Sequence, residues 1–271
     1  MRWVLALGLL AACHTFAGGS SDDDDTTIDA RGSGSGSGGD PVIGVFDPSV
    51  MKVVVEIDYE TNQQPYTGNI IGFGDTFAPM MANIDRLFAH KKTLTIPQTL
   101  PEMENIGTIP DEELTVADIS AIANANRQQH DSAGVKTYYI VFVSGHYADG
   151  NGVNTGVLGV SFGDTIAMFK DVIKGTASVT QPNAERYVEQ STLIHELAHS
   201  IGLVDNGVPM VATHKDATHG AHCNNDQCVM YWLNEGAADA RTFALNRLLT
   251  GNTIIFDAAC LADVDAKTGG L

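Results

Sequence analysis

The segment that says most about the fold of this chain is YVEQSTLIHELAHSI, residues 187–201. Its apolar side chains recur at positions 188, 193, 194, 197, 198 and 201, which is the spacing of an α-helix with one buried stripe. Gly202 follows at the position where many helices end in a left-handed residue. The pattern therefore predicts a helix over residues 187–201.

This helix carries a group of side chains suited to metal chemistry, His195, Glu196 and His199. Residues four apart lie on one helix face, so both imidazoles can bind a single ion. A Zn²⁺ ion held by neutral nitrogens lowers the pKa of its bound water towards ~7, and Glu196 can accept the proton as that water attacks a peptide carbonyl. The motif predicts a zinc-dependent peptidase with Glu196 as the general base.

The sequence from His195 to Gly202, HELAHSIG, resembles the opening of the metzincin signature. In that superfamily a third zinc ligand, His or Asp, comes three residues after the glycine, which is Asp205 here. Further on, residues 222–230, HCNNDQCVM, are similar to the archaemetzincin pattern of a ligand His, two cysteines and the Met-turn methionine. This second resemblance implies His222 as the third ligand and Met230 as the Met-turn residue. Archaemetzincins have this His directly after the glycine turn, whereas residues 206–221 come before it here.

Other residues remain candidates for the third zinc ligand. The sequence NEGAAD, residues 234–239, resembles the gluzincin helix in which the Glu binds zinc, which would make Glu235 the ligand. His219 and His214 are further candidates. We expect His222 first, then Asp205, then Glu235. Three protein ligands and an open fourth position are typical of a catalytic zinc site.

The N-terminal part of the chain predicts export. Residues 1–12 combine one positive charge with a short apolar run, as in a signal peptide, and LAAC, ending at Cys13, resembles a bacterial lipobox. Residues 13–47 are acidic and rich in Gly and Ser, which predicts a flexible tether spanning about 30 Å. We expect an exported protein, anchored through Cys13 at the outer membrane or surface of a bacterium, with a peptidase domain at 48–271.

Charge and cysteine content restrict the partners and cofactors. The formal net charge of −18 argues against nucleic acid as a partner and against membrane contact other than the lipid anchor. Archaemetzincins carry a later C-x-x-C that completes a second, structural zinc site, whereas this chain has Cys260 alone in that region. We therefore expect one catalytic zinc ion and a Cys223–Cys228 disulfide, with a bridge from either residue to Cys260 as the alternative.

The remaining patterns predict an α+β fold. Strands are indicated at 50–59, 137–144, 157–162 and 165–169, and helices at 76–90 and after a cap at Thr115 or Asp118. The resemblance implies a metzincin-like mixed twisted sheet, an active-site helix and a Met-turn C-terminal subdomain. It also implies that 157–162 is the edge strand that binds a peptide or protein substrate in extended form.

Two alternative functions remain at this point. One is a gluzincin-type peptidase that uses Glu235 as its third ligand. The other is a lipid-tethered binding module that has a protease fold without turnover. The presence of Glu196 argues against the second alternative, because a module that only needed the metal would not need the base.

Overall fold

The computed structural model describes residues 44–70, 74–88, 92–177, 183–248, 251 and 253–269. The strands are β1 Lys52–Tyr59, β2 Asn69–Ile70, β3 Gly74–Asp75, β4 Thr93–Thr95, β5 Glu104–Asn105, β6 Glu113–Leu114, β7 Val135–Val143, β8 His146–Asp149, β9 Gly152–Asn154, β10 Gly159–Phe162 and β11 Thr165–Phe169. The helices are α1 Ala78–Leu87, α2 Val116–Asn126, α3 Lys170–Lys174, α4 Ala184–Ile201, α5 Ala237–Leu248 and α6 Ala258–Lys267. Short 3₁₀ turns form at Leu100–Glu102 and Trp232–Glu235.

The main sheet is mixed, as the sequence predicts. Its strand order is β10-β11-β7-β1-β4, and β5 also pairs with β1. Strands β1, β7 and β11 run parallel to one another, whereas β10 is antiparallel to β11 and forms one end of the sheet. Strand β7 is buried along nearly its whole length, which explains its continuous apolar sequence.

Most predicted elements lie close to their expected positions. Helix α1 begins with Pro79 in its first turn, where the missing N–H costs nothing. Helix α2 is capped by Thr115, whose side chain accepts a hydrogen bond from the Asp118 backbone, while the Asp118 carboxylate accepts from the Thr115 backbone. The two candidates for the cap are therefore partners in one capping box. The segment 146–156, in which no strand is predicted, contains the β8–β9 hairpin.

Helix α4 lies against the sheet end formed by β10 and β11 and packs on α1 and α5. The core spreads from this contact across both β1 and β7. Val45 and Phe46, which the sequence assigned to the end of the tether, are buried in this core, and the Phe46 ring lies 5.7 Å from the ring of Phe88. The packed body thus begins before residue 48.

The predicted signal peptide, the lipidation site Cys13 and the tether up to residue 43 lie outside the described residues. Within the described part of the chain, no helix has the length and apolar character needed to cross a membrane.

Candidate metal centres

Helix α4 presents His195 and His199 one turn apart, close to its C-terminus. His195 is buried and His199 is partly exposed. The helix ends at Gly202, which has a φ of +96° and donates its backbone N–H to the carbonyls of Ala198 and His199. A Cβ atom at Gly202 would lie 2.8 Å from the Asn206 carbonyl oxygen. Glycine is required here because both the left-handed backbone and the close return of the chain exclude a side chain.

After this turn, backbone pairing brings His222 back towards α4. The Asp216 N–H donates to the His222 carbonyl at 2.7 Å, and the Asn224 N–H donates to the His214 carbonyl at 2.8 Å. On its other side, Cys223 donates its N–H to the Met230 carbonyl at 2.7 Å. His222 therefore lies on a short extended segment held between two others.

The structure brings the side chains of His195, His199 and His222 together. The Nε2 atom of His199 lies 3.0 Å from Nε2 of His195 and 3.2 Å from Nε2 of His222. A tetrahedral zinc ion about 2.0–2.1 Å from each nitrogen separates its nitrogen ligands by about 3.3 Å. The three imidazoles therefore fit a zinc ion.

Neighbouring carbonyl groups fix the orientation of two of these rings. The Nδ1 atom of His195 lies 2.7 Å from the Val229 carbonyl oxygen, and Nδ1 of His222 lies 2.6 Å from the His219 carbonyl oxygen. Because a carbonyl only accepts hydrogen bonds, Nδ1 carries the proton in each neutral ring. The lone pair then lies on Nε2, the atom that faces the other two rings.

Glu196 is buried between α4 and the edge strand β10. A Cβ atom at Gly159 of β10 would lie only 2.9 Å from Cγ of Glu196 and 3.1 Å from Cγ2 of Thr192. Glycine at this position allows the Glu196 side chain to pass directly against the backbone of the edge strand. The Glu196 side chain therefore lies between the helix that carries His195 and His199 and the strand predicted to bind substrate.

Two of the other candidate ligands, Asp205 and His219, make different contacts. Asp205 is exposed, and its carboxylate lies 3.9 Å from Nζ of Lys215. His219 stacks on the ring of Trp232, with centroids 3.8 Å apart, and its Nδ1 lies 2.8 Å from Asp216. Glu235 ends a 3₁₀ turn, and its side chain is outside the described part of the chain.

Met230 is fully buried next to Val229. The side-chain amide of Asn234 donates to the carbonyls of Cys228 and Val229 at 3.0 and 2.9 Å. These bonds fix the turn that carries Met230. They also fix the Val229 carbonyl, which accepts the hydrogen bond from His195.

The expected Cys223–Cys228 disulfide is not present, because Cys223, Cys228 and Cys260 are all free and buried. Hydrogen bonds from the thiols of Cys228 and Cys260 lower the pKa of Cys223. The Sγ atoms of Cys228 and Cys260 lie 3.6 Å apart, far beyond the bond length of about 2.05 Å in a disulfide. The cysteines form a cluster of thiols instead of a bridge.

His214 belongs to this cluster. One potential ligand atom from each of His214, Cys223, Asp257 and Cys260 lies within 4.8 Å of the others. The sequence suggested His214 as a ligand of the catalytic ion alone. The available signal was the three cysteines Cys223, Cys228 and Cys260 together with a nearby histidine, a composition that also fits a metal site with three Cys and one His.

No protein-family model and no curated protein sequence matches the chain. Among solved structures, the chain is similar to an archaemetzincin from Methanopyrus kandleri, with a TM-score of 0.38 and 14% identity over 82% of this chain and 98% of that one. It is also similar to a zinc-dependent peptidase from Methanocorpusculum labreanum, with a TM-score of 0.41 and 10% identity over 78% of this chain and 99% of that one.

Proposed function

We propose that the chain is a zinc-dependent metalloendopeptidase in which His195, His199 and His222 bind the catalytic ion. The observation that carries this proposal is the convergence of three Nε2 atoms at separations of 3.0 and 3.2 Å. Three neutral imidazoles leave one tetrahedral position open, which distinguishes a catalytic zinc site from a structural one. His222 is favoured over Asp205 because its ring shares this centre.

When bound, zinc would supply Lewis acidity that activates water and polarises a carbonyl group. Glu196 follows His195 on α4 and acts as the general base that accepts a proton from the attacking water. The same carboxyl group then donates this proton to the leaving amine. Burial of Glu196 against β10 limits its movement and holds it beside the substrate strand.

We propose that the substrate is an extended peptide that pairs with β10. This strand is at the end of the main sheet and pairs with β11 on one side. Its other edge offers backbone N–H and C=O groups, which can bind a peptide main chain on both sides of the cleaved bond. We take Met230 as the Met-turn residue, because it is fully buried and follows Val229, whose carbonyl accepts the hydrogen bond from His195.

We further propose that the peptidase is exported and anchored through a lipid on Cys13. This proposal is supported by the apolar run that ends in LAAC and by the Gly- and Ser-rich residues that follow. Fractionation of cells that produce the full chain would test it. Recovery of the wild type and of Cys13→Ser in the same soluble fraction would reject the lipid anchor.

Substitution of Glu196 tests the function. We expect Glu196→Gln to bind as much zinc as wild type and to cleave an unstructured protein at least about 100-fold more slowly, because removal of a general base costs 10²–10⁴ in rate. Glu113→Gln removes an exposed carboxylate from β6 and should keep the wild-type rate. Zinc content by mass spectrometry and initial rates of cleavage are the two readouts.

Two outcomes would reject the proposal. Cleavage by Glu196→Gln at the wild-type rate would show that Glu196 is not the base. A zinc-loaded wild type that binds peptides and cleaves none would favour a binding module instead.

A further inference from the structure

We propose that His214 completes a structural zinc site with Cys223, Cys228 and Cys260, and that Asp263 is the positioning residue for His214. The C-x-x-C that completes such a site in archaemetzincins supplies only Cys260 here, and we infer that an imidazole replaces its second cysteine. The fourth ligand would thus come from residues 206–221, the stretch that separates the metal-binding helix from His222. This site does not depend on the proposed function, since the ligands differ and no hydrolysis is required.

The distances between the proposed ligands fit a closed site. Cys228 and Cys260 have their Sγ atoms 3.6 Å apart, and a tetrahedral zinc with Zn–S bonds of about 2.3 Å separates its sulfurs by about 3.8 Å. Nδ1 of His214 lies 3.9 Å from Sγ of Cys260. One ligand atom from each of His214, Cys223 and Cys260 lies within 4.8 Å of the others, and Cys228 adjoins this group through Cys260. All four are buried, which suits an ion without an exchangeable water.

The orientation of His214 is that of a metal ligand. Its Nε2 lies 2.6 Å from Oδ2 of Asp263, a carboxylate that is 1% exposed. The second oxygen of Asp263 accepts the Val211 backbone N–H at 2.6 Å. With Nε2–H donating to the carboxylate, the lone pair of His214 is on Nδ1 and faces the thiols. A buried carboxylate bonded to the far nitrogen of a histidine is the usual support of a metal-binding imidazole.

Cys228 is a better ligand than Asp257, although a carboxylate oxygen of Asp257 lies within 4.8 Å of the ligand atoms of His214, Cys223 and Cys260. One oxygen of Asp257 accepts the Cys260 backbone N–H at 2.8 Å and caps α6, and the other accepts from the Asn225 side chain at 2.9 Å. The Asp257 backbone N–H in turn points at Sγ of Cys228, at 3.4 Å. An N–H group directed at sulfur stabilises a thiolate, which is the form that binds zinc. Three thiolates and one imidazole form one of the known structural zinc sets.

The ion would join three separate parts of the chain. His214 comes from the loop after α4, Cys223 and Cys228 come from the segment that leads to Met230, and Cys260 comes from α6. Cys223 also follows His222 directly. Binding of the second ion would therefore hold the backbone next to a proposed ligand of the catalytic ion.

Metal analysis of the full chain tests the second site. We expect wild type to bind two zinc ions and to have its three body cysteines protected from thiol reagents until the metal is chelated. Cobalt substitution should give the strong thiolate-to-cobalt charge-transfer absorption that an all-histidine site cannot produce. These readouts do not depend on peptidase activity, so a chain that cleaves nothing could still pass the test.

Variants then identify the ligands. His214→Ala should lose one zinc ion and the protection of the thiols, whereas His214→Cys should retain both because four cysteines also bind zinc. Asp263→Asn should weaken binding of one ion about 10- to 100-fold. His130→Ala, an exposed histidine, and Asp257→Asn, which keeps the helix cap, should leave the metal content unchanged.

Two results would overturn the inference. One is a folded wild type whose cobalt form shows no thiolate charge-transfer absorption, or one that contains a disulfide among its three body cysteines. The other is His214→Ala with two zinc ions and an unchanged cobalt spectrum. If His214→Ala fails to fold, the cobalt spectrum of wild type and the metal content of His214→Cys still decide the question.

Discussion

At the scale of single residues, Gly159 limits where Glu196 can lie. A Cβ atom on this residue would lie 2.9 Å from Cγ of Glu196, 3.1 Å from Thr192 and 3.2 Å from Met168. The φ angle of Gly159 is not in the left-handed region, so the backbone alone does not demand glycine. The close approach of a functional side chain is the physical reason for glycine at this position.

Replacement of this glycine should therefore act through Glu196. We expect Gly159→Ala to fold, to bind zinc normally and to lose about 10- to 100-fold in kcat, because a displacement of about 1 Å in a reacting group has this cost. Gly150→Ala is the control, since a Cβ at that position meets nothing within 4 Å. Wild-type kcat in Gly159→Ala would show that the packing against β10 does not position the base.

At the scale of elements, α4 is fixed by a buried ion pair two turns before the first histidine. Glu189 of α4 bonds the Lys170 ammonium at the start of α3, and both side chains are almost completely buried. Glu189 also accepts the Tyr66 backbone N–H at 2.7 Å, and Nζ of Lys170 lies 3.6 Å from the centre of the Tyr66 ring. Burial lowers the pKa of Lys170 and raises the pKa of Glu189. The pair fixes the position of α4 relative to the end of β11, because Lys170 directly follows that strand.

Breaking this pair should destabilise the protein strongly. We expect Lys170→Met to lower the free energy of unfolding by about 3–5 kcal/mol, because it leaves Glu189 buried without its partner. The double variant Lys170→Met, Glu189→Leu should recover most of this loss. Urea unfolding followed by circular dichroism measures both.

The exposed pair of Lys174 and Asp171, 3.9 Å apart, provides the matched comparison. Lys174→Met should cost less than about 1 kcal/mol, as is usual for ion pairs at the surface. If Lys170→Met were no more destabilising than Lys174→Met, the buried pair would not be what fixes α4.

At the scale of the whole molecule, the features that sequence predicted are those that depend on neighbours in the chain. The spacing of His195, Glu196 and His199 and the glycine at 202 specify a helix and its end locally. The continuous apolar run of β7 likewise indicates a strand buried on both faces. The mixed sheet follows from the resemblance and is confirmed by the strand order.

The features that could not be predicted from the sequence depend on backbone pairing between segments that are distant in the chain. His222 reaches the other histidines because 214–216 and 222–224 pair with each other and Cys223 pairs with Met230. The resemblance of residues 222–230 implied His222 as a ligand, but no local pattern predicts the backbone pairing that brings it to α4. The disulfide prediction failed for the same reason: a short Cys spacing fits a disulfide, and the contribution of His214 and α6 is visible only in three dimensions.

The central claim is that three imidazoles hold one catalytic zinc ion. An anomalous difference map from crystals of the zinc-loaded protein, recorded on both sides of the zinc absorption edge, tests it directly. The account predicts a peak about 2.0–2.1 Å from Nε2 of His195, His199 and His222. A peak that lies next to a carboxylate of Asp205 or Glu235 in place of His222, or the absence of a peak among the three rings, would contradict it.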